Sequence, residues 1–205
     1  MRDPLRTPRA AAVAGIVFTL LLTTTLVLLR LAPAAHSSEP GFWLANPGQR
    51  RMAVLALNLV PFTGIAFLWF IGVVRDRFGS HEDRFFATVS LGSGLLFIAM
   101  LFVAAAVVAG GVLEGGADAP SGFGRRIGAV VLHVYAMRMA AVFTISTATM
   151  GLRTGIMPRW LGVTGYAVAA VLLLAVDVTR WVELLFPLWI LVLSIDTLAS
   201  RRSRR

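Results

Sequence analysis

The sequence predicts an all-α integral membrane bundle of six transmembrane helices with both termini on the cytoplasmic side. Composition sets the class: of 205 residues, 58% are hydrophobic and 14% charged, whereas soluble domains run about 45–50% apolar and about 25% charged. Pattern sets the helix number, because the apolar residues fall in blocks near the roughly 20 residues that cross the hydrocarbon as α-helix. Arginine sets the boundaries: all 19 basic residues are Arg, and every one except Arg138 lies at or beyond the end of a block.

The expected spans are about 11–31, 52–74, 85–109, 127–150, 160–176 and 181–198, within one transmembrane domain covering residues 1–205. The first holds one charge, Arg30, at its far end; the second includes Asn58 and Pro61; the third has no charge; the fourth carries His133, Tyr135 and Arg138. The last apolar stretch, 160–199, would extend about 60 Å as one helix, twice the hydrocarbon thickness. It must turn, and Asp177-Val178-Thr179-Arg180 is the densest polar cluster near its middle. With both termini inside, the cytoplasmic segments hold Arg2, Arg6, Arg9, Arg75, Arg77, Arg84, Arg153, Arg159, Arg201, Arg202, Arg204 and Arg205. The outer segments hold Arg30, Arg50, Arg51, Arg125, Arg126 and Arg180, a two-to-one bias that orients the chain. A competing reading of the N-terminus is a secretory signal ending at Ala32-Pro33-Ala34, although its apolar run exceeds the usual 7–15 residues.

Missing residue types exclude whole chemistries. Without Lys there is no Schiff base and no Walker lysine; without Cys there is no thiol catalysis and no Cys-ligated metal. The formal charge of +9 does not imply nucleic acid, since the arginines punctuate apolar runs instead of clustering on one exposed face. The expected partners are membrane lipids, with anionic lipid at the arginine tail of residues 201–205; a second copy of the chain is a further candidate. No cofactor is expected, and the expected location is the plasma membrane, crossed several times.

Arg138 is the most informative residue, because a charge near the bilayer midplane needs protein or water around it. One expected partner set is the Leu57 carbonyl, which Pro61 leaves without its helical donor, together with Asn58. On the fourth span, Tyr135, Arg138, Val142, Ser146 and Thr149 form one stripe and His133, Met137, Ala140, Thr144 and Thr147 another. The first is the more polar and is expected to face the bundle interior. Arg138, Asn58, Tyr135 and His133 therefore make a candidate buried polar site. Asp177, Arg180 and Glu183, spaced by three, make a candidate outer vestibule. Ser90 with Gly94, and Gly165 with Ala169, give the third and fifth spans close-packing faces. No metal site is expected, because no second His lies at ligand spacing from His133.

Asn58-Leu59-Val60-Pro61-Phe62, residues 67–77 (FLWFIGVVRDR), Asp83-Arg84-Phe85-Phe86-Ala87-Thr88 and Tyr135-Ala136-Met137-Arg138-Met139-Ala140-Ala141 together resemble a family of multi-span bacterial membrane proteins that carries no known reaction. The resemblance runs from about Asn58 to the sixth span and implies a membrane location. Three functions stay open on the sequence. One is a non-enzymatic lipid-binding, sensory or accessory protein, which requires a packed bundle without a continuous cavity. A second is a small oligomeric transporter or channel, with a polar path past Arg138. The last is a lipid-modifying enzyme, which requires converging acid–base groups.

Overall fold

In a computed structural model the described residues, 7–31, 47–78, 84–113, 121–175 and 181–199, are helices and helix-connecting turns, with no strand among them. Their order is α1 (Thr7–Leu31), α2 (Pro47–Phe78), α3 (Arg84–Leu113), α4 (Ser121–Val130), a π-helical segment (Val131–Ala136), α5 (Met137–Arg153), α6 (Arg159–Leu174), a 3-10 turn (Val182–Leu184) and α7 (Leu185–Ala199). Five stretches are long and apolar enough to cross a membrane: Ala12–Leu31, Pro47–Arg75, Arg84–Gly110, Arg126–Arg153 and Val182–Ala199. The fourth is built from α4, the π segment and α5 running on from one another. Helix α6 is apolar but has only 16 residues, about 24 Å at helical rise. The expected fifth span is thus shorter than its neighbours, and its expected connection at 176–180 lies outside the described residues, as do residues 32–46 and 200–205.

The helices close into a ring. α1 packs on α2 and α7, α3 on α2 and on the α4–α5 rod, and α6 joins α5 to α7. Five of them send a phenylalanine into the middle: Phe18 from α1, Phe67 and Phe70 from α2, Phe97 from α3, Phe143 from α5 and Phe186 from α7, all essentially inaccessible. Phe67 is the hub, with ring centroids 4.5 Å from Phe18, 5.1 Å from Phe143, 5.3 Å from Phe97, 5.8 Å from Phe186 and 6.1 Å from Phe70. Most of these pairs are edge-to-face, the arrangement that the ring quadrupole favours.

Small residues let the helices approach, as expected of a bundle with little water-driven association between its helices. A Cβ on Gly15 would fall 2.1 Å from Ser194 Oγ, locking α1 on α7. The two expected close-packing faces are present. Gly94 meets Ile71 and Phe143, Gly165 meets Trp189 and Ala148, and Ser90 lies 3.3 Å from Thr147 across α3 and α5. Buried hydroxyls return to carbonyls of their own helix, as in Thr144 to Ala140, Ser194 to Ile190 and Thr197 to Leu193, which satisfies them without breaking the helix. Others stitch helices together: Thr19 donates to the Pro187 carbonyl, and Trp189 Nε1 to the Leu161 carbonyl at 3.2 Å. Between α5 and α6 the chain reverses at Gly155 (φ 66°), the left-handed position that commonly ends a helix and that glycine occupies without strain.

The polar faces of α5 correct the sequence expectation. His133 is half-buried while Met137, Ala140, Thr144 and Thr147 are buried, so this stripe faces the interior. Tyr135 is 56% exposed; Arg138, Val142 and Thr149 are half-buried, and only Ser146 of that stripe is buried. Size decided over polarity. The buried threonines are answered there, Thr144 by the Ala140 carbonyl of its own helix and Thr147 by Ser90 of α3.

Candidate functional site

One end of the bundle gathers the charged groups. Arg30 stands in the last turn of α1, His133 in the π-helical segment, and Glu183 in the 3-10 turn before α7. Glu183 is 3% exposed, and a single carboxylate oxygen, Oε1, is shared. Arg30 Nη2 donates a hydrogen bond to it, and His133 Nδ1 lies in ion-pair contact with it but off the hydrogen-bond axis. The arginine and histidine side chains are 22% and 30% exposed against 4% for the glutamate. The cluster is therefore a carboxylate sunk in protein, capped by two cation-forming groups that reach toward the surface.

Local backbone makes this possible. Arg30 sits at the carboxyl end of a helix, where a cation is favoured by the helix dipole. The π-helical turn and the 3-10 turn each depart from α-helical phase at the residue that is used, and π turns inside α-helices often mark functional sites. Burying a carboxylate is costly unless it is paired. Here the pairing comes from elements 153 residues apart for Arg30 and Glu183, so the cluster ties the ends of α1 and α7 to the junction of α4 and α5. Thr25, about one and a half turns before Arg30 on α1, has a fully buried hydroxyl with no partner among the described residues.

The two candidate sites drawn from sequence are thus regrouped. His133 from one and Glu183 from the other meet, and Arg30, not singled out by the sequence, completes them. Asp177 and Arg180 lie outside the described residues. Arg138 does not reach Asn58 or the Leu57 carbonyl; its Nη1 donates to the Val134 carbonyl of its own helix at 3.1 Å. A guanidinium four residues on from a π-segment carbonyl finds that acceptor without crossing to α2. Asn58 and Tyr135 are exposed on the outside of the bundle, so neither belongs to a buried site. The missed residue was legible by position. Arg30 ends the first apolar block, and His133 and Glu183 lie near the starts of the fourth and sixth, so blocks that alternate in direction bring the three together.

At the opposite end a cavity of about 20 Å³ is lined by Thr147, Ser194, Asp196, Thr197, Phe70 and Ile156 among others. That is room for about one water. Nearby on that side, the Arg153 guanidinium stacks over Phe86, 4.8 Å from the ring centre. The phenylalanine cluster lies between this cavity and the Arg30 end. Among the described residues no three His, Asp or Glu side chains group to hold a metal ion.

Fold and site together define an apolar, multi-pass type of helical bundle with a solid aromatic middle and an ionic cluster at one end. No family model matches the chain, and no curated protein or solved structure does.

Proposed function

We propose that this is a non-enzymatic, six-span protein of the plasma membrane, with a sensory or accessory role, in which the Arg30–Glu183–His133 cluster is the responsive element. The observation that carries the reading is the pairing of a buried carboxylate with two groups from other helices, above a core of six interlocked phenylalanines. Such a core transmits a shift between helices and offers no route for a solute; interlocked side chains have few alternative arrangements. Opening the cluster frees the ends of α1 and α7 to separate, and a partner or lipid headgroup reads that separation. The arginine distribution supports both termini inside, which puts the cluster outside, and the arginine tail at residues 201–205 on anionic cytoplasmic lipid.

The chain has no Cys, so paired labels are introduced cleanly. Spin labels at Leu31 and Trp181, both about half exposed, measure the separation of α1 and α7 in liposomes. Two separations are expected, with the wider one enriched by Glu183→Gln. One unchanged separation in both proteins refutes the responsive-element reading. Solute or ion flux above that of empty liposomes refutes the non-transporting part.

A second reading, the lipid-modifying enzyme, gains one observation: His133 beside a carboxylate is an acid–base arrangement. No hydroxyl nucleophile adjoins it among the described residues' hydrogen bonds. Phospholipid turnover abolished by His133→Asn would favour it over the first.

A further inference from the structure

Asn58 poses a problem that the bundle does not solve. It lies three residues from Pro61, the midpoint of the Pro47–Arg75 span, about 4.5 Å along the helix. Its side chain is exposed on the outer face of α2 and makes no hydrogen bond among the described residues. A carboxamide carries two N–H donors and a carbonyl acceptor, and in hydrocarbon none of these finds water.

Its neighbours on that face are regular. Arg51, Leu55, Asn58, Phe62, Ile65, Trp69 and Gly72 are all exposed, and they follow one another at alternating steps of four and three. That spacing is the 3.5-residue repeat of a helix seam that pairs with another helix through knobs and holes. Most membrane helix pairs cross in this left-handed manner. A single Asn at one core position of such a seam is the residue that fixes register and copy number in coiled coils. Across a two-fold axis along the membrane normal, α2 runs parallel to its copy, and each core layer faces itself. Asn58 then meets a second Asn58, each amide donating to the other's carbonyl. The contact is self-complementary, as a two-fold interface must be.

Size agrees. Leu55, Phe62, Ile65 and Trp69 are 53, 60, 52 and 70% exposed; taking about 200 Å² for each whole side chain, they offer roughly 500 Å² per copy. Two copies bury up to about 1,000 Å² through these four side chains, the lower bound for a specific interface. Gly72 has nothing within 4 Å of where a Cβ would stand, so no group of the protomer covers that end of the seam.

We propose that the protein forms a parallel homodimer through the outer face of α2, registered by an Asn58–Asn58 hydrogen-bonded layer. The test is single-Cys cross-linking of the full-length protein in liposomes. Cys at 55, 62, 65 and 69 is expected to cross-link to dimer with the seam's period. Cys at Val17 of α1 or Val163 of α6, exposed elsewhere, is expected to stay monomeric. Asn58→Val should weaken dimerisation about 3- to 30-fold, while Asn58→Gln retains most of it. Thermal unfolding of each variant in detergent confirms that the protomer is folded. Cross-linking without the period, a stronger signal at Val17 or Val163, cross-links only to a different polypeptide, or an Asn58→Val dimer as tight as the parent overturns the proposal.

Discussion

Removing Arg30 should destabilise the protein far more than removing Arg30 and the Glu183 charge together. The asymmetry comes from exposure: the Glu183 side chain is 4% accessible, while those of Arg30 and His133 are 22% and 30%. Arg30→Met leaves a sunken carboxylate facing only His133, off the hydrogen-bond axis. Breaking one partner of a buried pair costs about 3–5 kcal/mol, and the remaining imidazole places the expected loss near the lower figure, about 3 kcal/mol. Glu183→Gln leaves instead two groups that can turn toward water or headgroups, for a loss of about 1–2 kcal/mol. The double variant replaces the pair by neutral groups of similar size, which is often nearly neutral; it should sit within about 1 kcal/mol of the parent. At roughly 2–4 °C per kcal/mol for a chain of this size, Arg30→Met lowers the midpoint by about 6–12 °C and the double variant restores most of that. Thermal unfolding in one detergent, followed by circular dichroism, gives all four corners of the cycle. A double variant as unstable as the sum of the singles refutes the shared-oxygen cluster as an energetic unit.

Phe67→Ala empties the hub of the aromatic core and should cost about 3–5 kcal/mol, whereas Leu20→Ala, at a site 61% exposed, should change the unfolding midpoint by a degree or two at most, read in the same melts. Arg138→Gln should cost only about 1 kcal/mol, because the guanidinium bonds to a carbonyl of its own helix; a loss above about 3 kcal/mol, the range for a broken buried pair, would mean that it braces two helices. Gly15→Ala should destabilise by about 1–3 kcal/mol through overpacking. Adding Ser194→Ala, which removes the hydroxyl that the new methyl strikes but leaves the Phe70 ring beside it, should recover part of that loss in thermal melts.

The apolar helices were legible because hydrophobicity is additive along the chain, and most apolar blocks are bounded by arginines. Which face of a span turns inward was not. On α5 the more polar stripe was expected inside, yet Thr144 and Thr147 pack inward as well as alanine does, their hydroxyls answered locally or by Ser90. Phenylalanine content gave no warning of the core either, since Phe62 and Phe85 look outward while Phe67 and Phe97 look in. The ionic cluster depends on two turns that leave α-helical phase, and neither Val131–Ala136 nor Val182–Leu184 carries a proline or glycine that would announce it. Position within the apolar blocks was the usable signal for Arg30, because it ends the first block and Glu183 opens the last, 153 positions on in the chain.

The π-helical segment has one more implication. A π turn is an α-helix holding one surplus residue, so α4 and α5 are phased separately: the turn between them serves the ionic cluster, and α5 the phenylalanines. Deleting Val131 would let the rod close into continuous α-helix and turn α4 by about 100° relative to α5. His133, inside the segment that re-forms, would shift against Glu183 while the aromatic middle stayed in register. The rod thus behaves like a key whose bit and bow were cut at different angles, and a single codon sets the offset.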